Sequence, residues 1–197
     1  MANNLYVHFP FCRRKCSYCA LYSRTGVSQA DRDAYVRQLS SELLNLSTSQ
    51  PLNFSTVYFG GGSPALCNLS PLKGVLSSLI PHPSSLIPYE FTVELHPLDV
   101  TEAKLEELKG LGVNRISMGV QSLDNATLAD MGRGYTVDEA ERAFALVRRH
   151  FDNAGIDLIV GYPGDEVGIR WREKVEVETE NPHDEGRGIL ADLPVGA

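Results

Sequence analysis

The sequence predicts an α/β protein built as an incomplete (β/α) TIM-like barrel of about five parallel strands. Two observations carry that prediction. Apolar, strand-like runs alternate with segments of helical periodicity, and polar, chemistry-bearing residues recur just after nearly every strand-like run. Such alternation implies right-handed βαβ units and a parallel sheet with both faces covered. Recurrence of polar residues at strand ends suits one barrel mouth better than a doubly wound sheet.

Residues 5–11 form a short apolar strand, so Cys12, Cys16 and Cys19 fall on the loop leaving its carboxyl end. Residues 31–46 place Tyr35, Leu39, Leu43 and Leu46 at helical spacing, with Ser28 and Asp31 as candidate caps. Residues 55–59 read as a buried strand ending at Gly60, 71–80 as a short helix and 89–95 as an alternating strand. Between the last two, Pro81, Pro83 and Pro88 with Ser84 and Ser85 mark a surface connection. Residues 101–111 form a helix stopped by Gly112, and its Thr101-x-x-Lys104 start meets only half of the capping-box pattern. A strand over 114–119, an amphipathic helix over 136–151 and a fifth strand over 155–160 complete the series.

Past Gly164 the character changes. Residues 1–164 are the expected core, and 165–197 an atypical polar tail read as truncated or poorly ordered. One helix is conceivable there over residues 166–177, through Trp171 and Val175.

A chain of 197 residues supports one domain with a sizeable core. Its 43% hydrophobic and 22% charged residues are those of a globular protein, and its net charge of −7 excludes a basic nucleic-acid footprint. No segment has signal-peptide zones and no apolar run is long enough for a transmembrane helix. Four cysteines, three of them clustered, do not make a secreted disulfide framework, so a cytoplasmic location is expected.

Three thiolates in a Cys-x3-Cys-x2-Cys pattern can hold an iron–sulfur cubane by three corners, leaving the fourth iron open to an outside ligand. The competing reading is a structural zinc site with His8 or Cys67 as fourth ligand. Zinc sites favour paired Cys-x2-Cys knuckles, of which only Cys16-Cys19 offers one, so the spacing favours iron–sulfur. His8 is expected to face the barrel interior or to bond a backbone group, and Cys67 to be a buried apolar residue. The Arg13-Arg14-Lys15 triplet inside the loop is read as part solubility, part compensation of an anionic cluster. The Gly60-Gly61-Gly62-Ser63-Pro64 turn either needs unusual backbone angles or brings a ligand against bare amides. Glu94, placed to hold an amine or ribose hydroxyls, Gln121 and Asp157 stand at successive strand ends. Several polar residues converging on one mouth resemble a small-molecule site.

These pieces resemble the radical S-adenosylmethionine superfamily, in its oxygen-independent coproporphyrinogen-III-oxidase-like branch. The likeness rests on Tyr6-Val7-His8-Phe9-Pro10-Phe11-Cys12, the cysteine loop, Phe59-Gly60-Gly61-Gly62-Ser63-Pro64, Glu94-Leu95-His96-Pro97, the run from Gly112 to Ser122 and the run from Asp157 to Gly164. By resemblance Cys12, Cys16 and Cys19 ligate a [4Fe-4S] cluster, and S-adenosylmethionine chelates the open iron. Tyr6 and the Gly62-Ser63 turn are then expected at its methionine end and Tyr18 by its adenine. Glu94, Gln121, Arg133 and Asp157 hold its amine, carboxylate and ribose.

Within the branch the chain resembles the heme chaperones more than the oxidases. Oxidase-type sequences place a further cysteine two residues after the third, where this chain has Leu21; chaperone-type sequences usually place an aromatic residue there. The resemblance therefore implies heme as cargo, a heme-acceptor protein and an electron donor for the cluster. The alternative is an oxidase-type enzyme that decarboxylates coproporphyrinogen III. Family members are considerably longer, and the His-Asn-x-x-Tyr-Trp segment associated with heme is absent here, with His183 and Trp171 in another context. His96 stands where the family commonly has Asn.

Overall fold

The structure is a computed structural model that describes residues 3–49, 54–80 and 89–163. The proline-rich connection and the polar tail, including its expected helix, lie outside the described residues. Five strands form one sheet: β1 (Asn3–Phe9), β2 (Phe54–Gly61), β3 (Glu90–Leu95), β4 (Arg115–Gln121) and β5 (Ala154–Leu158). All pairs are parallel and the spatial order is β1-β2-β3-β4-β5, the same as the order in sequence. A doubly wound sheet reverses its order at a switch point, whereas strands added in one direction curl into a barrel. Sequential order therefore decides for the barrel architecture.

Helices α1 (Gln29–Ser49), α2 (Lys73–Leu79), α3 (Glu102–Gly110), α4 (Asn125–Asp130) and α5 (Val137–His150) fill the crossovers. Ser28 caps α1, its Oγ accepting from the Asp31 amide at 3.2 Å. Asp31 thus lies in the first turn, and is not itself the cap. Val36, with Leu43, supplies the buried face of this helix, while Leu46 is exposed. Thr101 accepts from the Lys104 amide, the half capping box expected from sequence, whereas Thr136 and Glu139 complete a full one at α5. The helix α4 was not legible in the hydrophobic pattern.

The two faces of the sheet differ in chemistry because side chains alternate along each strand. Val7, Phe9, Val57, Phe59, Phe91, Val93, Leu95, Ile116, Met118 and Val120 are buried in the core. Phe9, Phe59 and Phe91 pack ring on ring across three strands, with centroids 5.2 and 4.8 Å apart, and the Tyr35 ring of α1 lies against Phe9. The opposite set, Tyr6, His8, Tyr58, Glu94, Ser117, Gln121 and Asp157, is polar. The inner face is hydrophilic, with His8 on it as expected, and it opens into a cleft at the carboxyl ends of the strands.

Candidate functional site

That cleft has a volume of about 420 Å³. Cys12, Cys16, Tyr18, Cys19, Gly62, Ser63, Glu94, Gln121, Arg133 and Asp157 all line it, so one cavity gathers ten of the eleven residues expected from sequence. Tyr6 is the exception. It is 56% exposed, stacks on Tyr58, and donates to His8 Nδ1 at 3.2 Å, beside the cleft rather than in its wall. His8 in turn donates from Nε2 to the Tyr22 carbonyl at 2.8 Å, the backbone bond foreseen for it.

The cysteine loop is a closed structure. Phe11 and Arg24 form a parallel bridge, with the Cys12 amide donating to the Arg24 carbonyl at 3.0 Å. Lys15 Nζ crosses the loop to the Leu21 carbonyl at 2.6 Å. The Cys19 amide donates to the Cys16 carbonyl, and the Ser17 amide to Met131 at the end of α4, both at 3.2 Å. All three cysteines are free and partly accessible. Among the described residues no three His, Cys, Asp or Glu side chains converge as one metal ion requires. A zinc ion would need each sulfur at about 2.3 Å from a single centre, whereas a cubane offers each thiolate its own iron. Three free thiols on one loop are the donor set that a cubane takes. Cys67 is 1% exposed and far from offering a fourth ligand; burial pushes its thiol up to about 12.

The basic triplet does less for the thiols than its position in sequence suggests. Arg13 pairs with Asp99, Lys15 ties the loop, and the Arg14 guanidinium lies over Gly134. Burial raises the Cys12 thiol above its ordinary value, and Ser23 and Lys15 oppose that without overcoming it. The cation that touches a thiol is Arg133. It is 6% exposed and donates from Nη1 to Cys16 Sγ at 3.4 Å and to the Tyr18 hydroxyl at 3.1 Å. Its Nη2 reaches the Gly119 carbonyl at 2.5 Å and its Nε the Tyr135 hydroxyl at 2.9 Å. One guanidinium thus ties the cysteine loop to the end of β4.

The glycine turn has a different reason from ligand access to bare amides. The Gly61 amide donates to Glu94 Oε2 at 3.0 Å, and the Gly62 and Ser63 amides to the Phe9 and Phe11 carbonyls at 2.7 Å each. All three are already bonded. Gly61 has φ +100°, and a Cβ at Gly62 would run into both of those carbonyls. The turn is glycine so that β2 and the cysteine loop can approach closely.

Glu94 is held by two donors, the Gly61 amide and the Tyr58 hydroxyl at 2.7 Å. Asp157 accepts from Ser117 Oγ with both oxygens, at 2.9 and 2.8 Å. Gln121 has φ +76°, the one non-glycine residue with positive φ among the described residues, at an irregularity in the β4–β5 ladder. Such a conformation is disfavoured for a side-chain-bearing residue and persists where the surroundings fix it.

Two cleft residues were given no role in the site from the sequence, Asp99 and the motif residue His96. Asp99 ends a 3-10 turn (Pro97–Asp99), its side chain 1% exposed, and accepts from Arg13 Nε and from Ser63 Oγ. His96 precedes that turn; its ring stands edge-on to Tyr135 at 5.1 Å. Burial, with Arg133, Arg13 and Arg14 nearby, pushes its pKa down to about 3 from 6.5. Between those values the unfolded chain binds the proton that the folded chain refuses, so stability falls as pH falls. The slope reaches at most ~1.4 kcal/mol per pH unit. His96→Asn is expected to flatten the acid limb of urea stability between pH 6.5 and 5; an unchanged limb would contradict the assignment.

Comparison with known proteins gives the family and bears on the fold. Residues 6–168 match the Radical SAM superfamily model, and the chain belongs to that superfamily. Within it, the chain is 34% identical over 166 residues to the heme chaperone HemW of Lactococcus lactis subsp. lactis (strain IL1403), covering 82% of this chain and 42% of that protein. It is 35% identical over 167 residues to the radical S-adenosyl methionine domain-containing protein 1, mitochondrial, of Mus musculus, covering 83% and 37%. Among solved structures it resembles the radical SAM enzyme coproporphyrinogen III oxidase (HemN) of Escherichia coli. There the TM-score is 0.73 at 24% identity, over 87% of this chain and 41% of that one. That likeness bears out the partial barrel. The chain spans about two fifths of the length of the curated relatives it matches. No helix among the described residues is long and apolar enough to cross a membrane.

Proposed function

We propose that this chain carries the cofactor-binding part of a HemW-type heme chaperone. It holds a [4Fe-4S] cluster on Cys12, Cys16 and Cys19 and S-adenosylmethionine in the adjoining cleft, and serves heme delivery to an acceptor protein. The observation that carries the reading is the shared cavity: three free thiols open into the same space as Glu94, Gln121, Arg133 and Asp157. When bound, the cluster and the sulfonium together supply one-electron reductive chemistry, which needs an electron donor.

The chain's own residues bind and orient. Glu94, fixed by Tyr58 and Gly61, presents a carboxylate to an amine. Asp157, fixed by Ser117, offers acceptors to ribose hydroxyls. Arg133 balances negative charge at Cys16 while holding Tyr18 in the wall. Two carboxylates and a guanidinium suit a zwitterionic, sulfonium-bearing ligand. Leu21, half exposed on the cleft rim, leaves the oxidase reading without its further cysteine and departs as well from the aromatic residue of the chaperone type. It is the likeness to the heme chaperone HemW of Lactococcus lactis that supports the chaperone type. Clustered free thiols support a reducing, cytoplasmic setting.

The test is anaerobic reconstitution with iron and sulfide, followed by the reduced electron-paramagnetic-resonance spectrum with and without S-adenosylmethionine. A four-iron signal that changes shape on adding the cofactor supports the reading. Stoichiometric zinc with no iron overturns it. In the same preparation Glu94→Gln, which keeps shape and removes charge, is expected to weaken S-adenosylmethionine binding about tenfold, ~1.4 kcal/mol. Unaltered affinity by calorimetry would remove Glu94 from the site.

A further inference from the structure

His96 occupies the cleft wall between Glu94 and Asp99, and nothing above gives it a ligand. We propose that it is a binding residue: its Nε2–H donates a hydrogen bond to an oxygen acceptor, carboxylate or hydroxyl, of S-adenosylmethionine bound in the cleft. The proposal rests on the cofactor reading just given.

Four observations carry it. His96 lines the cleft together with Arg13, Arg14 and Arg133. Its Nδ1 accepts from the Leu98 amide at 3.2 Å, and in a neutral imidazole an accepting Nδ1 puts the ring proton on Nε2. Among the described residues Nε2 has no hydrogen-bond partner. Nor is it sealed in protein, since the one shut-in unpaired side-chain nitrogen or oxygen among the described residues is Arg32 Nε; Nε2 therefore reaches open space. The edge-on contact with Tyr135 fixes the ring plane, so the donor direction is set before any ligand arrives.

The surroundings select the acceptor. With Arg13 already paired to Asp99, the guanidinium groups of Arg14 and Arg133 repel the sulfonium end of the cofactor and attract its oxygens. A further cation there would add repulsion between fixed charges, whereas a neutral N–H adds a directed donor without it. Burial beside those arginines keeps the ring neutral through the physiological range.

The reconstituted full chain is compared with His96→Asn, His96→Phe and His96→Leu, measuring S-adenosylmethionine Kd, iron content and thermal midpoint. Asn keeps a neutral donor and an acceptor for Leu98, Phe keeps the ring on Tyr135 without a donor, and Leu removes both. The proposal expects Asn to bind within about threefold of the parent, and Phe and Leu about tenfold more weakly, at equal iron content. Phe binding as well as the parent would overturn it, leaving His96 a packing residue. Asn as weak as Leu would overturn it too, because ring shape and not the donor would then matter. A parent chain that holds four irons and binds no S-adenosylmethionine sinks the cofactor reading itself, and the proposal with it.

Discussion

Cys16→Ala, reconstituted with iron and sulfide under argon, is expected to hold less than about a tenth of the parent's iron and to lose the cofactor-dependent spectrum. Cys16 is the middle thiol of the loop, and its carbonyl shapes the turn to Cys19. It is also the thiol bonded by the buried guanidinium of Arg133. Two remaining corners cannot fix a cubane against hydrolysis, and Arg133 would face an empty position with its positive charge uncompensated. Cys67→Ala is the control. That thiol is buried between α1 and α3 segments, with Lys104 Nζ on its carbonyl, and its loss is expected to leave iron content unchanged. Equal iron in Cys16→Ala and the parent, by colorimetric assay, would refute the three-cysteine ligand set. A parallel fall in Cys67→Ala would instead favour a four-sulfur structural site.

The cluster loop was legible in sequence because its information is local: three like residues within eight positions, after an apolar run. The strands were legible for a similar reason, since apolar runs bounded by Gly and Pro give position even when the ends shift by one or two residues. What escaped depends on contacts across the sheet. Asp99 gains its partners 86 and 36 residues away, Arg13 and Ser63, and no spacing rule announces such pairs. The glycine turn was recognised and its need for unusual backbone angles holds at Gly61, but the reason for Gly62 was not legible. Only the Phe9 and Phe11 carbonyls pressed against Gly62 show that close backbone approach, and not ligand access, excludes a side chain there. The short α4, six residues capped by Asp124, is too brief for a 3.6-residue period to register. Likewise, much of the polar inner face was hidden because Tyr6, Tyr58 and Glu94 look like ordinary alternation until β1, β2 and β3 bring them together around His8.

Asp99→Ala is expected to destabilise the chain by about 2–3 kcal/mol, and Asp99→Asn by about half of that, read as shifts in urea midpoint at constant slope. The carboxylate accepts from the cysteine loop through Arg13 and from the glycine turn through Ser63, and its amide donates to the His96 carbonyl at 2.9 Å. Breaking a fully buried ion pair costs about 3–5 kcal/mol. Arg13 is half exposed, so water recovers part of its solvation and the lower figure applies. Ser63 has no such escape: it is 5% exposed, and alanine at 99 leaves its hydroxyl without that acceptor. Asparagine retains an oxygen for Ser63 and loses the charge for Arg13, which separates the two contributions. Arg13→Ala should then cost at least as much as Asp99→Ala, because it leaves a carboxylate that is 1% exposed without its cation. If Arg13→Ala instead cost clearly less than Asp99→Ala, the stabilisation would reside in the Ser63 bond, and the ion pair would be incidental to holding the cysteine loop against the turn.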